Sequence, residues 1–363
     1  MDHINRIEDP RFPSNGTRHD FREILVIAIC AMLSDADSFE DIACWARAKE
    51  DWLRRFLPLK NGTPSQDTFL RVFRVLDPQC FETVFRQWVG DVATALNSQL
   101  AIDGKSLRGS ANCGEPPVHM VSALATDLGL VLGQEKVAGK SNEITAIPVL
   151  LDALYLKGLL VSIDAMGCQK NIAAQIVSKE GDYLLALKGN QPKLLECAET
   201  AFIDNSNTLV THEHVEKSHG RLVIQVSQTI LALGLIDPKE WGKCKTFGRV
   251  DSYRVVGGKR SELEQRYYIS SRELSAEELA KAVRAHWAIE NQLHWVLDVN
   301  FGEDACMVRK DNAPQNLSLL KKIVLNLIRS DKTDATKCSL RLKRKRAAWD
   351  DNVRMNMLGI RPL

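Results

Sequence analysis

Between residues 99 and 202 the chain predicts elements in the order β-β-β-α-β-α-β-α, and few folds accommodate that order. Residues 100–103 form a short apolar strand that ends at Asp103. Residues 118–126 and 129–137 are strand-like and joined tightly at Asp127-Leu128. A helix over 143–154, with Pro148 expected to kink it or delay its start, leads to an apolar strand over 158–164 that ends at Asp164. A helix over 169–180, a strand over 183–187 and a helix over 192–202 complete the run. Three meandering strands followed by alternating units bring the later, parallel strands back beside the first, because such crossovers are right-handed and short. The fold class expected is therefore α/β, a mixed sheet covered by helices.

The flanks differ in period. Residues 1–97 read as helical: an apolar run over 24–33, Ser38 three residues before Asp41 as a capping box, Pro58 as a stop, a turn over 61–64, Ser65 as the next cap, and Asp77-Pro78 as a break before a helix over 80–96. The apolar run is about half of what a bilayer span requires, so no membrane partner is expected. Residues 206–270 carry alternating and β-branched stretches split by Gly and Pro, read as a β-rich insertion. Ser275 and Glu278 open a long helix to about residue 299, and a last helix over 314–328 precedes a basic tail. The expected division is an all-helical N-terminal domain over 1–97, an α/β domain over 98–330 with the insertion at about 206–272, and a basic tail over 331–363.

Three carboxylates stand where packing alone would not put them. Asp103 and Asp164 each end an apolar strand, and strand ends in open α/β sheets feed the crevice where ligands bind. If the two strands are neighbours, about 4.8 Å apart, both carboxylates reach one metal ion; taken singly, each is equally a turn or cap residue. On the 275–299 helix, an apolar stripe runs through Leu279, Val283 and Trp287 and then meets Glu290, His294 and Leu297. A second phase, through Ile289, Leu293 and Val296, fits the same segment and leaves Glu290 at the edge. Carboxylates without a His or Cys cluster suit Mg²⁺ or Mn²⁺ better than zinc, and the nine cysteines contain no CxxC pair. Two such ions about 3.5–4 Å apart serve phosphodiester displacement.

At these residues the chain resembles the H-repeat-associated, ISAs-type branch of bacterial DDE insertion-sequence transposases. The resemblance rests on Ala101-Ile102-Asp103-Gly104-Lys105-Ser106-Leu107-Arg108-Gly109-Ser110, on Lys140-Ser141-Asn142-Glu143-Ile144-Thr145-Ala146-Ile147-Pro148, on Ile163-Asp164-Ala165-Met166-Gly167-Cys168-Gln169 and on Leu187-Lys188-Gly189-Asn190-Gln191. It continues through Lys217-Ser218-His219-Gly220-Arg221, Arg266-Tyr267-Tyr268-Ile269-Ser270-Ser271 and His286-Trp287-Ala288-Ile289-Glu290-Asn291-Gln292-Leu293-His294-Trp295, with Asp298, Phe301, Glu303 and Asp304 beyond, and includes Pro64-Ser65-Gln66-Asp67-Thr68-Phe69 near the start. It implies a ribonuclease-H-like catalytic core interrupted by a β-rich insertion, with Asp103, Asp164 and Glu290 at the DDE positions as catalytic and metal-holding residues. It further implies Mg²⁺ or Mn²⁺, two ions in all, and DNA cleavage at element ends followed by strand transfer. Related transposases often carry Arg four residues before the last carboxylate and Lys seven after; here those places hold His286 and Leu297, so those contacts do not transfer. Leu222 and Gln225 likewise depart from the acidic and basic residues often found after His-Gly-Arg.

Net charge gives no hint of an anionic partner: it is +2. The local distribution does. Within 337–346 the basic residues Lys337, Arg341, Lys343, Arg344, Lys345 and Arg346 occur with no acid among them, an electrostatic footprint for a phosphate backbone. Lys105 and Arg108 follow Asp103, and Lys188 and Asn190 end the 183–187 strand, so all four are candidate phosphate contacts. His286 and His294 flank Glu290 by one turn on either side and are candidates to orient it. The partners expected are double-stranded DNA, both inverted-repeat ends and target, and a second copy of the chain on that DNA, in a cytoplasmic, nucleoid-associated setting. A DNA-binding relic without activity and a stand-alone ribonuclease-H-like nuclease are the alternatives.

Overall fold

The computed structural model describes residues 3–13, 17–92, 99–112, 114–139, 142–207, 209–218, 221–237, 240–333 and 337–360. Motif positions 140–141 and 219–220 lie outside these, as does the end of the helix expected over 80–96.

Five helices come first: α1 (Phe21–Leu33), α2 (Phe39–Ala48), α3 (Glu50–Leu53), α4 (Gln66–Val75) and α5 (Pro78–Val92). Asp20 caps α1 by accepting from the backbone of Arg22 and Glu23, and Ser38 with Asp41 forms the expected capping box on α2. Ser65 stands before α4, but its hydroxyl meets Thr68 Oγ1 at 3.1 Å instead of capping the backbone. The strands β1 (Gln99–Leu107), β2 (Val118–Ala125) and β3 (Leu130–Lys136) precede α6 (Glu143–Asp152), β4 (Leu160–Ile163), α7 (Lys170–Ser178), β5 (Asp182–Leu187) and α8 (Pro192–Asp204). Then follow β6 (Thr211–Ser218), β7 (Arg221–Leu231), β8 (Thr246–Val256), β9 (Lys259–Arg260) and β10 (Glu264–Ser270). The chain closes with α9 (Ala276–His286), α10 (Trp295–Phe301), α11 (Ala313–Ser330), α12 (Leu340–Trp349) and α13 (Asp351–Leu358).

The strands make one sheet in the order β3-β2-β1-β4-β5-β10-β8-β7-β6, with β9 beside β8. β1 with β4 and β4 with β5 are parallel, and the other pairs are antiparallel. The first five strands form the ribonuclease-H-like arrangement. The β-rich segment is continuous with it: β10 pairs directly with β5, from Tyr267 opposite Leu187 to Ser270 opposite Leu184. Its last strand thus prolongs the same sheet instead of forming a separate module. Alternating patterning gives a strand but not its neighbour, so the sequence left this pairing open.

The N-terminal helices share their core with this sheet. α11 is buried almost throughout and packs against α1, α4 and α5 as well as β3. The fully buried apolar residues Ile24, Ile27 and Ala28 of α1 belong to the same cluster as Val131 of β3 and Leu320, Val324 and Leu325 of α11. An apolar run with no polar face, such as that of α1, needs cover on every side, and the helices around it supply that cover. Among the described residues no helix is long and apolar enough to cross a membrane.

Residues 337–360 correct the expectation of a basic tail. α12 and α13 pack against α1 and α11, and Arg344 and Arg354 are fully buried. The Arg344 guanidinium donates to the Met32 carbonyl at 2.9 Å, to Asp37 at 2.7 Å and to the Asn300 carbonyl, and lies 4.3 Å from the Phe301 ring centre. A side chain so held has no face left for phosphate. Arg341 remains exposed, and Lys343, Lys345 and Arg346 are half-buried.

Candidate active site

β1 and β4 run parallel with Ile102 opposite Ile163, so the next residue of each, Asp103 and Asp164, leaves the paired region at the same end of the sheet. Asp164 follows the end of β4 as expected, whereas β1 runs on past Asp103 to Leu107 along β2; the parallel register brings the two carboxyl groups to one crevice. That crevice is a cavity of about 210 Å³ lined by Asp103, Asp164, Glu290, Lys188, Arg266, Tyr268, His286 and Trp287, among others.

Glu290 arrives there through a change of helical phase. Residues Ile289–His294 form a π-helical segment between α9 and α10, whose extra residue per turn rotates everything downstream. Leu279 and Val283 of the first stripe are buried and Trp287 is exposed, while Ile289, Leu293 and Val296 of the second are buried together with His294 and Leu297 of the first. Both stripes thus contribute buried residues across the π segment, and Glu290 sits within it with half its side chain exposed. Arg329 of α11 holds the segment by donating to the carbonyls of Gln292 and Gly129.

Asp103, Glu290 and His294 each present one ligand atom, and these three atoms lie within 4.8 Å of one another. His294 Nδ1 is 3.5 Å from Glu290 Oε2 and 3.6 Å from Asp103 Oδ2; its side chain is 7% exposed and its Nε2 is buried without a hydrogen-bond partner among the described residues. Asp164 lines the same cavity outside that triplet, with its Oδ1 accepting from the backbone of Met166 at 3.1 Å and Gly167 at 3.4 Å.

Electrostatics mark the place as short of positive charge. Burial pushes the Asp103 carboxyl up to about 8, and the negative charges of Glu290, Asp164 and Glu143 add to that. Asp164 is also raised, by burial first and Glu143 second, although two backbone N–H groups and Lys188 act against it. Glu290 is lowered, chiefly by its hydrogen bond with His294. Asp103 and Glu290 thus divide one proton unequally, as closely spaced carboxyl groups do. A divalent cation among them would offset the charge that burial makes costly, so the donor set fits a hard ion held by oxygens, with one imidazole nitrogen in reach.

His286 makes its hydrogen bond away from Glu290. It is half-buried, its Nδ1 meets Ser162 Oγ at 3.0 Å, and loss of water around its ring pushes it down to about 4, so it is a neutral packing residue that ties α9 to β4. His294 is the histidine beside the carboxylates, because the π segment carries it inward.

The basic candidates divide. Lys188 lines the cavity and is exposed. Asn190 donates from Nδ2 to the Ala165 carbonyl at 2.7 Å and so fixes the turn after Asp164. Lys105 is 11% exposed and enclosed by Asp298 at 2.7 Å, Asp304 at 2.8 Å and Glu303 at 3.6 Å, which corrects its assignment as a phosphate contact. Burial disfavours its charge, but those carboxylates more than compensate and its pKa is raised. Arg108 is exposed, with Asp304 at 3.3 Å.

Arg266 was missed as a site residue. It stands on β10, bonded to Glu264 Oε1 through Nε at 2.9 Å and Nη2 at 2.6 Å, with its guanidinium carbon 4.9 Å from the Trp287 ring centre. Only the pairing of β10 with β5 brings it beside Lys188, so spacing alone carried no signal for it.

The family model described as "Transposase DDE domain" matches residues 94–327, and one described as "DDE_Tnp_1-associated" matches residues 1–89. The chain belongs to the DDE transposase family. Among its relatives, "Putative transposase YncI" of Escherichia coli O157:H7 is 39% identical over 96% of this chain and 91% of its own length. "H repeat-associated putative transposase YhhI" of Escherichia coli K12 is 39% identical over 99% of this chain and 97% of its own. A cryo-EM synaptic complex of piggyBac transposase with hairpin DNA aligns with a TM-score of 0.47 at 11% identity, over 98% of this chain and 77% of that one.

Proposed function

We propose that this DDE transposase cleaves DNA at the inverted-repeat ends of its own element and joins the freed 3′-hydroxyl to target DNA, using Asp103, Asp164 and Glu290 as its catalytic carboxylates. The observation that carries this reading is the convergence of all three on one cavity from β1, β4 and the π-helical segment. Those carboxylates would hold Mg²⁺ or Mn²⁺, two ions in all, which supply Lewis acidity toward phosphoryl oxygens and acidify a nearby water or hydroxyl.

The protein's own groups do the remainder. Lys188 and Arg266 face the carboxylates across the cavity and offer donors to the non-bridging oxygens of a DNA strand, keeping the phosphate in the crevice despite the acids. The Trp287 ring 4.9 Å from the Arg266 guanidinium carbon and the Glu264 carboxylate bonded to its Nε and Nη2 hold that side chain at the cavity. His294 holds Glu290 ionised, so that carboxylate is ready to bind a cation without first losing a proton. Double-stranded DNA, both element ends and target, is the partner; handling two ends together calls for a homodimer on that DNA, in a nucleoid-associated setting.

The test uses a labelled duplex carrying the inverted repeat that flanks the reading frame. The wild-type chain should nick it with Mg²⁺ and not with EDTA, and Asp103→Asn should bind the duplex normally without nicking it. Nicking by Asp103→Asn at the wild-type rate would overturn the assignment, and nicking without preference for repeat ends would replace it with a general nuclease.

A further inference from the structure

A hydrogen-bonded chain stands beside the cavity and is used by nothing above. Glu143 Oε1 is 2.7 Å from His119 Nε2, and His119 Nδ1 is 2.9 Å from Ser106 Oγ. Ser106 and His119 face each other across the β1–β2 ladder, and Glu143 begins α6, whose cap Asn142 accepts from the Ile144 backbone at 3.2 Å. The carboxylate therefore comes from the start of a fixed helix and is aimed by an imidazole on a rigid sheet. Its side chain is only 13% exposed.

It lies directly over Gly104, the residue after Asp103. A Cβ at Gly104 would collide with Glu143 Oε1 and its carboxyl carbon, and would stand 2.5 Å from His119 Nε2. The glycine thus leaves the gap that lets Glu143 approach the backbone next to Asp103. The sequence Asp103-Gly104-Lys105-Ser106 supplies the carboxylate, the gap and the first member of the supporting chain within four residues.

We propose that Glu143 is a fourth carboxylate of the cation site, completing the set with Asp103 and Asp164, and that His119 and Ser106 are the positioning residues that hold it. The inference rests on the reading of the cavity as a divalent-cation site. Its grounds are the gap at Gly104, the fixed start of α6, and the placement of Asp164 outside the Asp103, Glu290 and His294 triplet, which leaves its side of the cavity in need of another oxygen donor. Support of a ligating carboxylate by an outer hydrogen-bonded chain is the usual construction of such sites.

The experiment measures Mn²⁺ binding to the full chain by the loss of the free-ion electron paramagnetic resonance signal, with thermal unfolding in EDTA as the check on folding. Glu143→Gln keeps a hydrogen-bonding partner for His119 but not the charge, and should weaken Mn²⁺ binding about tenfold or more. Ser106→Ala, which only loosens His119, should weaken it by about tenfold, the lower end of the effect of such outer partners. Asp103→Asn is the control. Unchanged affinity in Glu143→Gln alongside lost affinity in Asp103→Asn would overturn the role of Glu143 and leave the site intact. Unchanged affinity in Asp103→Asn would overturn the site itself. If Glu143→Gln does not fold, Ser106→Ala decides: wild-type affinity in that variant overturns the proposal.

Discussion

Arg344→Ala separates a structural from a DNA-binding role for the C-terminal basic cluster. In the folded chain Arg344 is fully buried, donates to the carbonyls of Met32 and Asn300, and pairs with Asp37 at 2.7 Å, with Asp35 at 3.4 Å. Truncation leaves Asp37 and two carbonyls without that donor and opens a cavity beside Phe301. Removing one partner of a buried ion pair costs about 3–5 kcal/mol, and the 38% exposure of Asp37 puts this case toward the lower end. With an unfolding entropy of roughly 2.1 cal/mol/K per residue over 363 residues, that loss lowers Tm by about 4–5 °C. Arg341→Ala, on the exposed side of the same helix, should change stability by less than about 0.5 kcal/mol. Differential scanning fluorimetry reads both, and fluorescence anisotropy on a labelled duplex, titrated with salt well below either Tm, reads the other role. A side chain that neutralises one phosphate steepens the fall of log affinity with log salt by about 0.9, so deleting it makes the slope shallower by that amount. Arg344→Ala should leave that slope unchanged. Wild-type stability together with a shallower slope would refute the burial reasoning and restore Arg344 to the DNA interface.

Two more variants test the site and its scaffold. Asp103 is pushed up to about 8 from an ordinary value of 3.8, so the folded chain binds more protons there than the unfolded chain between those two values. For such a group stability is lost as pH rises toward 8, hence Asp103→Asn in EDTA should be more stable than wild type at pH 8, by on the order of 1–3 kcal/mol, with little difference near pH 4. Thermal melts at the two pH values check this, and equal melts at pH 8 would contradict it; Mn²⁺ should also raise the wild-type Tm more at pH 8 than at pH 5.5, and should not raise that of Asp103→Asn. Gly109→Ala should destabilise by about 1–3 kcal/mol, because its Cβ would collide with the Cys306 carbonyl oxygen and lie 2.8 Å from the carbonyl carbon, which belong to backbone that cannot step aside. A urea titration with an unshifted midpoint would count against that packing.

Much of the local structure was legible in the residues themselves. The apolar strand that leads into Asp164 and the capping boxes at Ser38 and Ser275 are short-range matters: an apolar run of strand length, a hydroxyl three residues before a carboxylate; the strand through Asp103 runs on to Leu107, and the helix expected to stop at Pro58 breaks at Lys49 and ends at Leu53. The return of the later parallel strands beside the first followed as well, because short right-handed crossovers leave little choice. A helical stripe with two admissible phases was visible too, but a choice between them was not.

The tertiary structure decided what depends on partners far along the chain. The π-helical segment that uses both phases and turns Glu290 and His294 toward Asp103 is held by Arg329 from another helix. The pairing of β10 with β5 sets Arg266 beside Lys188. Burial assigned the charges their tasks: Lys105 and Arg344 look like DNA contacts in the sequence, yet one closes a knot of carboxylates and the other fills the junction of α1 and α12. A charge acts according to its distance from other charges and from water, and the order of residues fixes neither.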